Sequence, residues 1–226
     1  KQRASQINMK KAAKNVQPGT FDATKQHSLQ SKNLTFDKTA REPLSTTHIS
    51  IIDNEGNSVA LTSSIEYFFG SGISVRGFLL NNQMTDFSFK PEINGKKVAN
   101  RVQPGKMPRS SMTPTLVFDS KDNLVMSIGS PGGPRIIQFL AKAIILTLDY
   151  GLDIQEAISA PNFIALNNQI ELEANTTIIK SKAQLEKLGH QVAIKDIVSG
   201  INGVAVKRNF LEAGADPRRQ GAASSQ

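Results

Sequence analysis

Ser45-Thr46-Thr47-His48-Ile49-Ser50-Ile51-Ile52-Asp53-Asn54-Glu55-Gly56-Asn57-Ser58-Val59-Ala60-Leu61-Thr62-Ser63-Ser64-Ile65 is the stretch from which the fold is best read. Two runs of β-branched and apolar residues, 47–52 and 58–64, flank Asp53-Asn54-Glu55-Gly56-Asn57, whose composition suits a tight reversal and disfavours helix. A β-hairpin is expected. At its head stand three adjacent hydroxyls, Ser45, Thr46 and Thr47. If the chain is cut before Thr46, that residue carries hydroxyl and α-amine together, and the amine can take the hydroxyl proton without a separate His–Asp pair. Alone this is a weak signal, because β-branched residues favour strands in any case.

Upstream, residues 1–45 are polar and lack a sustained hydrophobic period beyond a helix-compatible piece at 9–16. They are expected to be a helix end and an exposed linker running to Pro43-Leu44-Ser45. Downstream, residues 67–77 are rich in glycine and aromatics, as in a loop folded tightly against a site. Residues 90–109, with Pro, Gly, Asn and several cations, are expected to form a mobile surface loop. A second hairpin is predicted over 115–118 and 124–128. Gly129-Ser130-Pro131-Gly132-Gly133-Pro134 then feeds a helix over 135–150 that is apolar nearly all round, hence one expected to lie between layers. Asp153 caps a second helix that stops before Pro161. A strand at 169–173, a helix at 180–188 closed by Gly189, and strands at 190–198 and 204–207 complete an α+β order rather than a doubly wound one.

The chain has 226 residues and a net charge of +8. Residues 1–45 hold 9 Lys/Arg against 3 Asp/Glu and the remainder 18 against 16, so most of the excess is confined to the first fifth. No basic stripe with interleaved aromatics accompanies it, which argues against a nucleic-acid partner and makes Lys10-Lys11 and Lys14 a solvated face. The absence of cysteine excludes a disulfide framework and a thiol nucleophile. His27, His48 and His190 lack metal-site spacing, so neither a metal nor a cofactor is expected. No run approaches the roughly 20 apolar residues of a membrane span, and the first residues lack a signal-peptide pattern.

Seven motifs occur in order: Thr46-Thr47-His48, Gly56-Asn57, Phe69-Gly70-Ser71-Gly72, Leu80-Asn81-Asn82-Gln83-Met84-Thr85-Asp86-Phe87, Arg109-Ser110-Ser111-Met112-Thr113-Pro114-Thr115, Gly129-Ser130-Pro131-Gly132-Gly133 and Ala215-Asp216-Pro217-Arg218-Arg219. Together they closely resemble the γ-glutamyltransferase (glutathione hydrolase) family of N-terminal-nucleophile hydrolases. The resemblance implies the small-subunit part of an αββα four-layer sandwich. Residues 1–45 would be the tail of the large subunit and the linker to the processing site, and residues 46–226 the catalytic small-subunit domain. The rest of the large subunit would be the partner, and a periplasmic or extracellular location is favoured.

The implied activity is self-cleavage at Ser45–Thr46, followed by attack of N-terminal Thr46 on a γ-glutamyl amide such as glutathione. The acyl group then passes to water, an amino acid or a peptide. Ser64 matches the position whose hydroxyl supports the nucleophile. Gly132 and Gly133, at a helix entrance, are the candidate oxyanion hole, since backbone N–H groups there meet the charge developing on the carbonyl. For substrate, Asp86 matches the amine-binding Asp, Ser110 and Ser111 the carboxylate-binding serines, and Glu66 stands where a carboxylate can share the amine. Gln83 belongs to the same motif. His48 reads as a strand residue. Three alternatives stand beside this: a relative acting on γ-linked polyglutamate, a cephalosporin (glutaryl) acylase-like amidase, and an uncleaved, inactive fragment.

Overall fold

In the computed structural model, residues 4–13, 34–35, 45–166 and 169–225 are described. Strands β1 (Ser45–Ile52) and β2 (Ser58–Glu66) form the expected antiparallel hairpin. Its reversal is organised by one carboxylate: Asp53 accepts from the backbone N–H groups of Glu55 and Asn57 and from the Asn57 side chain, while Gly56 takes φ +85°. The second hairpin, β3 (Thr115–Phe118) and β4 (Leu124–Gly129), uses the same device, with Asp119 accepting from Lys121, Asn123 and the Asn123 amide. After a single 3-10 turn at Gly133–Arg135 come α1 (Ile136–Leu148) and α2 (Ile154–Ser159). Asp153 caps α2 by accepting from Glu156 N at 2.7 Å. The chain continues through β5 (Phe163–Leu166), β6 (Gln169–Glu173), α3 (Lys182–Lys187), β7 (Gln191–Lys195), β8 (Asn202–Val206) and β9 (Leu211–Ala215).

Three layers result. The central one is an antiparallel sheet in the order β9-β8-β4-β3. Because side chains alternate along β4, Met126 and Ile128 join Phe139, Leu140 and Ala143 of α1 and Ile154 and Ile158 of α2 in one core, whereas Ser127 and Gly129 face the hairpin. The hairpin lies on that second face: Ser127 Oγ donates to Val59 O at 3.1 Å, and Asn202 Nδ2 donates to His48 O at 3.2 Å. A Cβ at Gly129 would stand 2.1 Å from the His48 ring, so only glycine lets the two sheets approach there. A smaller sheet, β5-β6-β7, antiparallel then parallel, packs beside α1.

Several expectations need correction. Helix α1 is not buried all round: Ile137, Ile145 and Leu148 are exposed on its outer side, and the buried set includes Lys142. Residues 9–13, read as helical, form a turn and a bend after a 3-10 turn at Ala4–Gln6; residues 14–16 lie outside the described residues. Within the supposed linker, Leu34–Thr35 pairs in parallel with Lys97–Val98. That pairing, and the short strands Glu92–Ile93 and Lys96–Val98, give structure to the segment expected to be a mobile loop; Val98 is fully buried. The rings of Tyr67, Phe68 and Phe69 are largely exposed, and of the three Phe68 borders a concavity beside Thr46. Strands β5 and β9 were not anticipated. Among the described residues, no helix is long and apolar enough to cross a membrane.

Candidate active site

The head of the hairpin is irregular. Ser45 pairs with Glu66, but Thr46 pairs with Ser64, so Ile65 is an extra residue on β2 and the register shifts at the Ser45–Thr46 bond. Glu66 has φ +75°, a left-handed conformation uncommon for a residue with a Cβ, and it closes the bulge. Ser64 Oγ sits inside this irregularity, accepting from Thr46 Oγ1 at 3.2 Å and from Glu66 N at 2.9 Å.

Opposite Thr46, β4 ends in the buried run Gly129 to Gly133. Gly132 takes φ +137° and Gly133 φ +58°, and a Cβ on Gly132 would meet the Phe139 ring at 2.6 Å. Two glycines are thus required by backbone shape and by the packing of α1. Gly133 and Ile136, at the entrance to α1, line the same narrow cleft as Thr46. Gly132 does not line it but is the preceding residue of the turn.

The far wall of the cleft is acidic. Glu66 and Asp86 are both lining residues with only 5% and 6% of their surface exposed. Asn82 donates to Glu66 Oε2 and Gln83 donates to Asp86 Oδ2. Asp86 Oδ1, also buried, has no hydrogen-bond partner among the described residues. Burial raises both carboxyls above their usual range; at Glu66 the Asp86 charge adds to this, while at Asp86 the Gln83 hydrogen bond and the Arg109 charge oppose it. A cation placed between them would relieve that repulsion. Asn100, not singled out in the sequence, donates to Asp86 O at 2.6 Å and accepts from Arg109 N at 3.1 Å, bringing Ser110 and Ser111 up to the acidic wall.

Eight of the nine predicted positions, Thr46, Ser64, Glu66, Gln83, Asp86, Ser110, Ser111 and Gly133, therefore line one cleft, together with Met112 and Ile136. The last two are apolar and carry no sequence signal of a site. The cleft is tight, with a cavity volume of about 30 Å³. On the other side of Thr46 a wider concavity of about 690 Å³ opens between Thr47, Ser63, Phe68, Val198 and Arg219. His48 is buried between the sheets, its ring nitrogens bonded to Thr62 and Ser50 hydroxyls at 2.8 and 2.9 Å, and burial lowers its pKa to about 4. It takes no part in the cleft. Among the described residues no cluster of three or more metal-ligating side chains occurs.

The family profile described as Gamma-glutamyltranspeptidase matches residues 1–226. A glutathione hydrolase proenzyme of Escherichia coli (strain K12) is 40% identical over 184 residues, which cover 76% of this chain and 31% of that protein. One from Bacillus subtilis (strain 168) is 35% identical, covering 79% and 30% respectively. The crystal structure of a Helicobacter pylori gamma-glutamyltranspeptidase mutant superposes with a TM-score of 0.69 at 35% identity, covering 76% of this chain and 100% of that one. The chain thus spans about a third of the length of the curated relatives it matches.

Proposed function

This chain belongs to the gamma-glutamyltranspeptidase family, and from its cleft we propose that it is the catalytic part of a self-processing hydrolase and transferase acting on γ-glutamyl amides, glutathione among them. Residues 46–226 form the small catalytic subunit, and residues 1–45 the tail of a larger partner from the same precursor. Thr46 Oγ1 first attacks the Ser45 carbonyl. The bond between the Ser45 carbonyl carbon and the Thr46 nitrogen breaks, the nitrogen takes up the proton that the hydroxyl lost, and water hydrolyses the resulting ester, leaving a Ser45 carboxylate and Thr46 with a free α-amine. The shifted register at that bond and the left-handed Glu66 beside it support this step, because a bond held outside a regular ladder is available for attack.

In turnover the α-amine takes the Thr46 hydroxyl proton as the oxygen attacks the γ-carbonyl. The backbone N–H groups of the Gly132–Gly133 turn meet the oxyanion, and Ser64 orients Thr46 Oγ1 through the 3.2 Å contact. The proton passes to the departing amine, a γ-glutamyl ester remains, and water or an acceptor amine resolves it. Glu66 and Asp86 hold the substrate α-ammonium, with Ser110 and Ser111 on its carboxylate. The leaving or accepting amine uses the wider concavity beyond Thr46.

The observation that carries this reading is the pair of buried carboxylates, one with an oxygen that has no partner among the described residues, in the same cleft as Thr46 and Gly133. A glutaryl side chain lacks the ammonium that such a pair is suited to receive. Intact mass of the full gene product should show cleavage between Ser45 and Thr46, lost in Thr46→Ala. The processed protein should cleave a γ-glutamyl anilide in preference to a glutaryl anilide. A single uncut mass with no amidase activity refutes the enzyme, and a glutaryl preference untouched by Asp86→Ala refutes the substrate class.

A further inference from the structure

Arg135 lies between Gly133 and Ile136, both of which line the Thr46 cleft. Its backbone N–H closes the 3-10 turn on Gly132 O at 3.4 Å, so the direction of the Gly132 and Gly133 peptides depends on where Arg135 is held. Its side chain points away from the cleft into a side-by-side clamp on Glu171 of β6, with Nε to Oε2 at 2.8 Å and Nη2 to Oε1 at 3.2 Å. Lys195 of β7 reaches the same carboxylate from the other side, Nζ to Oε1 at 2.5 Å. The Glu171 side chain is 5% exposed, against 24% for Arg135 and 45% for Lys195, so a nearly buried anion ties the small sheet to the entrance of α1.

Burial pushes the Glu171 carboxyl up, but the hydrogen bonds and charges of Arg135 and Lys195 bring it below the usual range, so it is ionised at neutral pH. A second tie runs parallel to the first: Gln138, one turn further along α1, exchanges hydrogen bonds with the backbone of Ala165 on β5. The helix is therefore fixed to the small sheet without Glu171. What Glu171 adds is control of the residue within the turn itself.

We propose that Glu171 is a positioning residue for the reaction, aligning the Gly132–Gly133 amides through Arg135. It touches neither substrate nor Thr46. The inference rests on the γ-glutamyl reading of the cleft above. Its energetic logic is that oxyanion donors work by being aimed before the charge appears, and a planar guanidinium gripped at two points fixes direction as a single point charge does not.

Full-length precursor, processed and carrying its partner subunit, is the material for the test. Glu171→Gln keeps the shape and removes the charge; Arg135→Lys keeps the charge and removes the two-point grip, and serves also if the first variant folds poorly. In both, kcat for a γ-glutamyl anilide should fall about 10- to 100-fold, somewhat less than the loss of an oxyanion donor outright, with KM within about twofold. Binding of a boronic acid analogue, whose tetrahedral oxygen occupies the oxyanion position, should weaken in parallel, while binding of L-glutamate should not. A lowered melting temperature with kcat within twofold of the parent would mean that Glu171 only stabilises the fold, and would overturn the inference. So would equal losses in analogue and glutamate binding. An inert parent enzyme removes the γ-glutamyl reading and this inference with it, whereas an active parent with unaffected variants removes this inference alone.

Discussion

Asp86 shows how a single side chain trades stability against binding. Its carboxyl is buried, one oxygen has no partner among the described residues, and burial raises its pKa. The folded state therefore holds this proton more tightly than the unfolded chain does. Between the ordinary carboxylate value and the raised one, stability contributed by this group falls as pH rises. Asp86→Asn should remove that slope and leave the empty protein slightly more heat-stable at neutral pH, as melting curves from pH 4 to 8 would register. The same change should raise KM for a γ-glutamyl anilide at least tenfold, about the loss of one charge-assisted hydrogen bond. A variant that melts lower and binds normally would show that Asp86 is structural.

The β1–β2 hairpin depends on the contact between His48 and Gly129. The imidazole is wedged between sheets where a β-carbon would stand 2.1 Å away, and burial lowers its pKa to about 4 from the usual 6.5. Here the unfolded chain binds the proton better, so stability should climb as pH rises from about 4 to about 6.5 and level off above that window. His48→Gln should flatten this limb in pH-dependent thermal unfolding, and an unchanged limb would assign it to other groups. Gly129→Ala should cost about 2 kcal/mol or more, because the ring has hydroxyl partners on both sides and cannot retreat. Denaturant titration measures that cost directly.

Across the assembled layers, the C-terminal segment is held by a buried polar cluster. Arg218 pairs with Glu173 at 2.5 Å and with Asp216 at 3.1 Å, and donates to the carbonyls of Ile158, Ser159 and Ala160 at the end of α2. Lys142 of α1 donates to two of these carbonyls, those of Ile158 and Ala160, and to Asn162 Oδ1, and burial lowers its pKa to about 8. Arg218→Ala would leave Glu173 and Asp216 short of a cation and should destabilise by more than about 3 kcal/mol in chemical denaturation. The opposite problem exists on the outside. Ile49, Ile51, Val59 and Leu61 on the hairpin, and Ile137, Ile145 and Leu148 on α1, present apolar side chains to solvent. The 226-residue chain alone should therefore bind a hydrophobic dye strongly, and co-expression with the large-subunit partner proposed above should suppress that signal.

Much of this was available from residue order alone. The cleft candidates Thr46, Asp86, Ser110-Ser111 and Gly132-Gly133 come chiefly from the resemblance of ordered motifs to a known family, whereas period-two runs around Asp53 and Asp119 announce two hairpins and Asp153 announces a helix start. These are local signals: turn chemistry, capping and backbone demands act within a few residues. Strands β5 and β9 escaped because what holds them extended is pairing with β6 and β8, which their own short runs do not announce. Helix α1 was misjudged for a related reason: apolarity on every side says that a face will be covered, not by what. Only folding brings Asn100 between Asp86 and Arg109, sets Met112 and Ile136 in the cleft wall, and joins Glu171 to Arg135 across 36 residues of chain. Such contacts arise from how layers stack, and no short-range pattern of residue types encodes a distance in space.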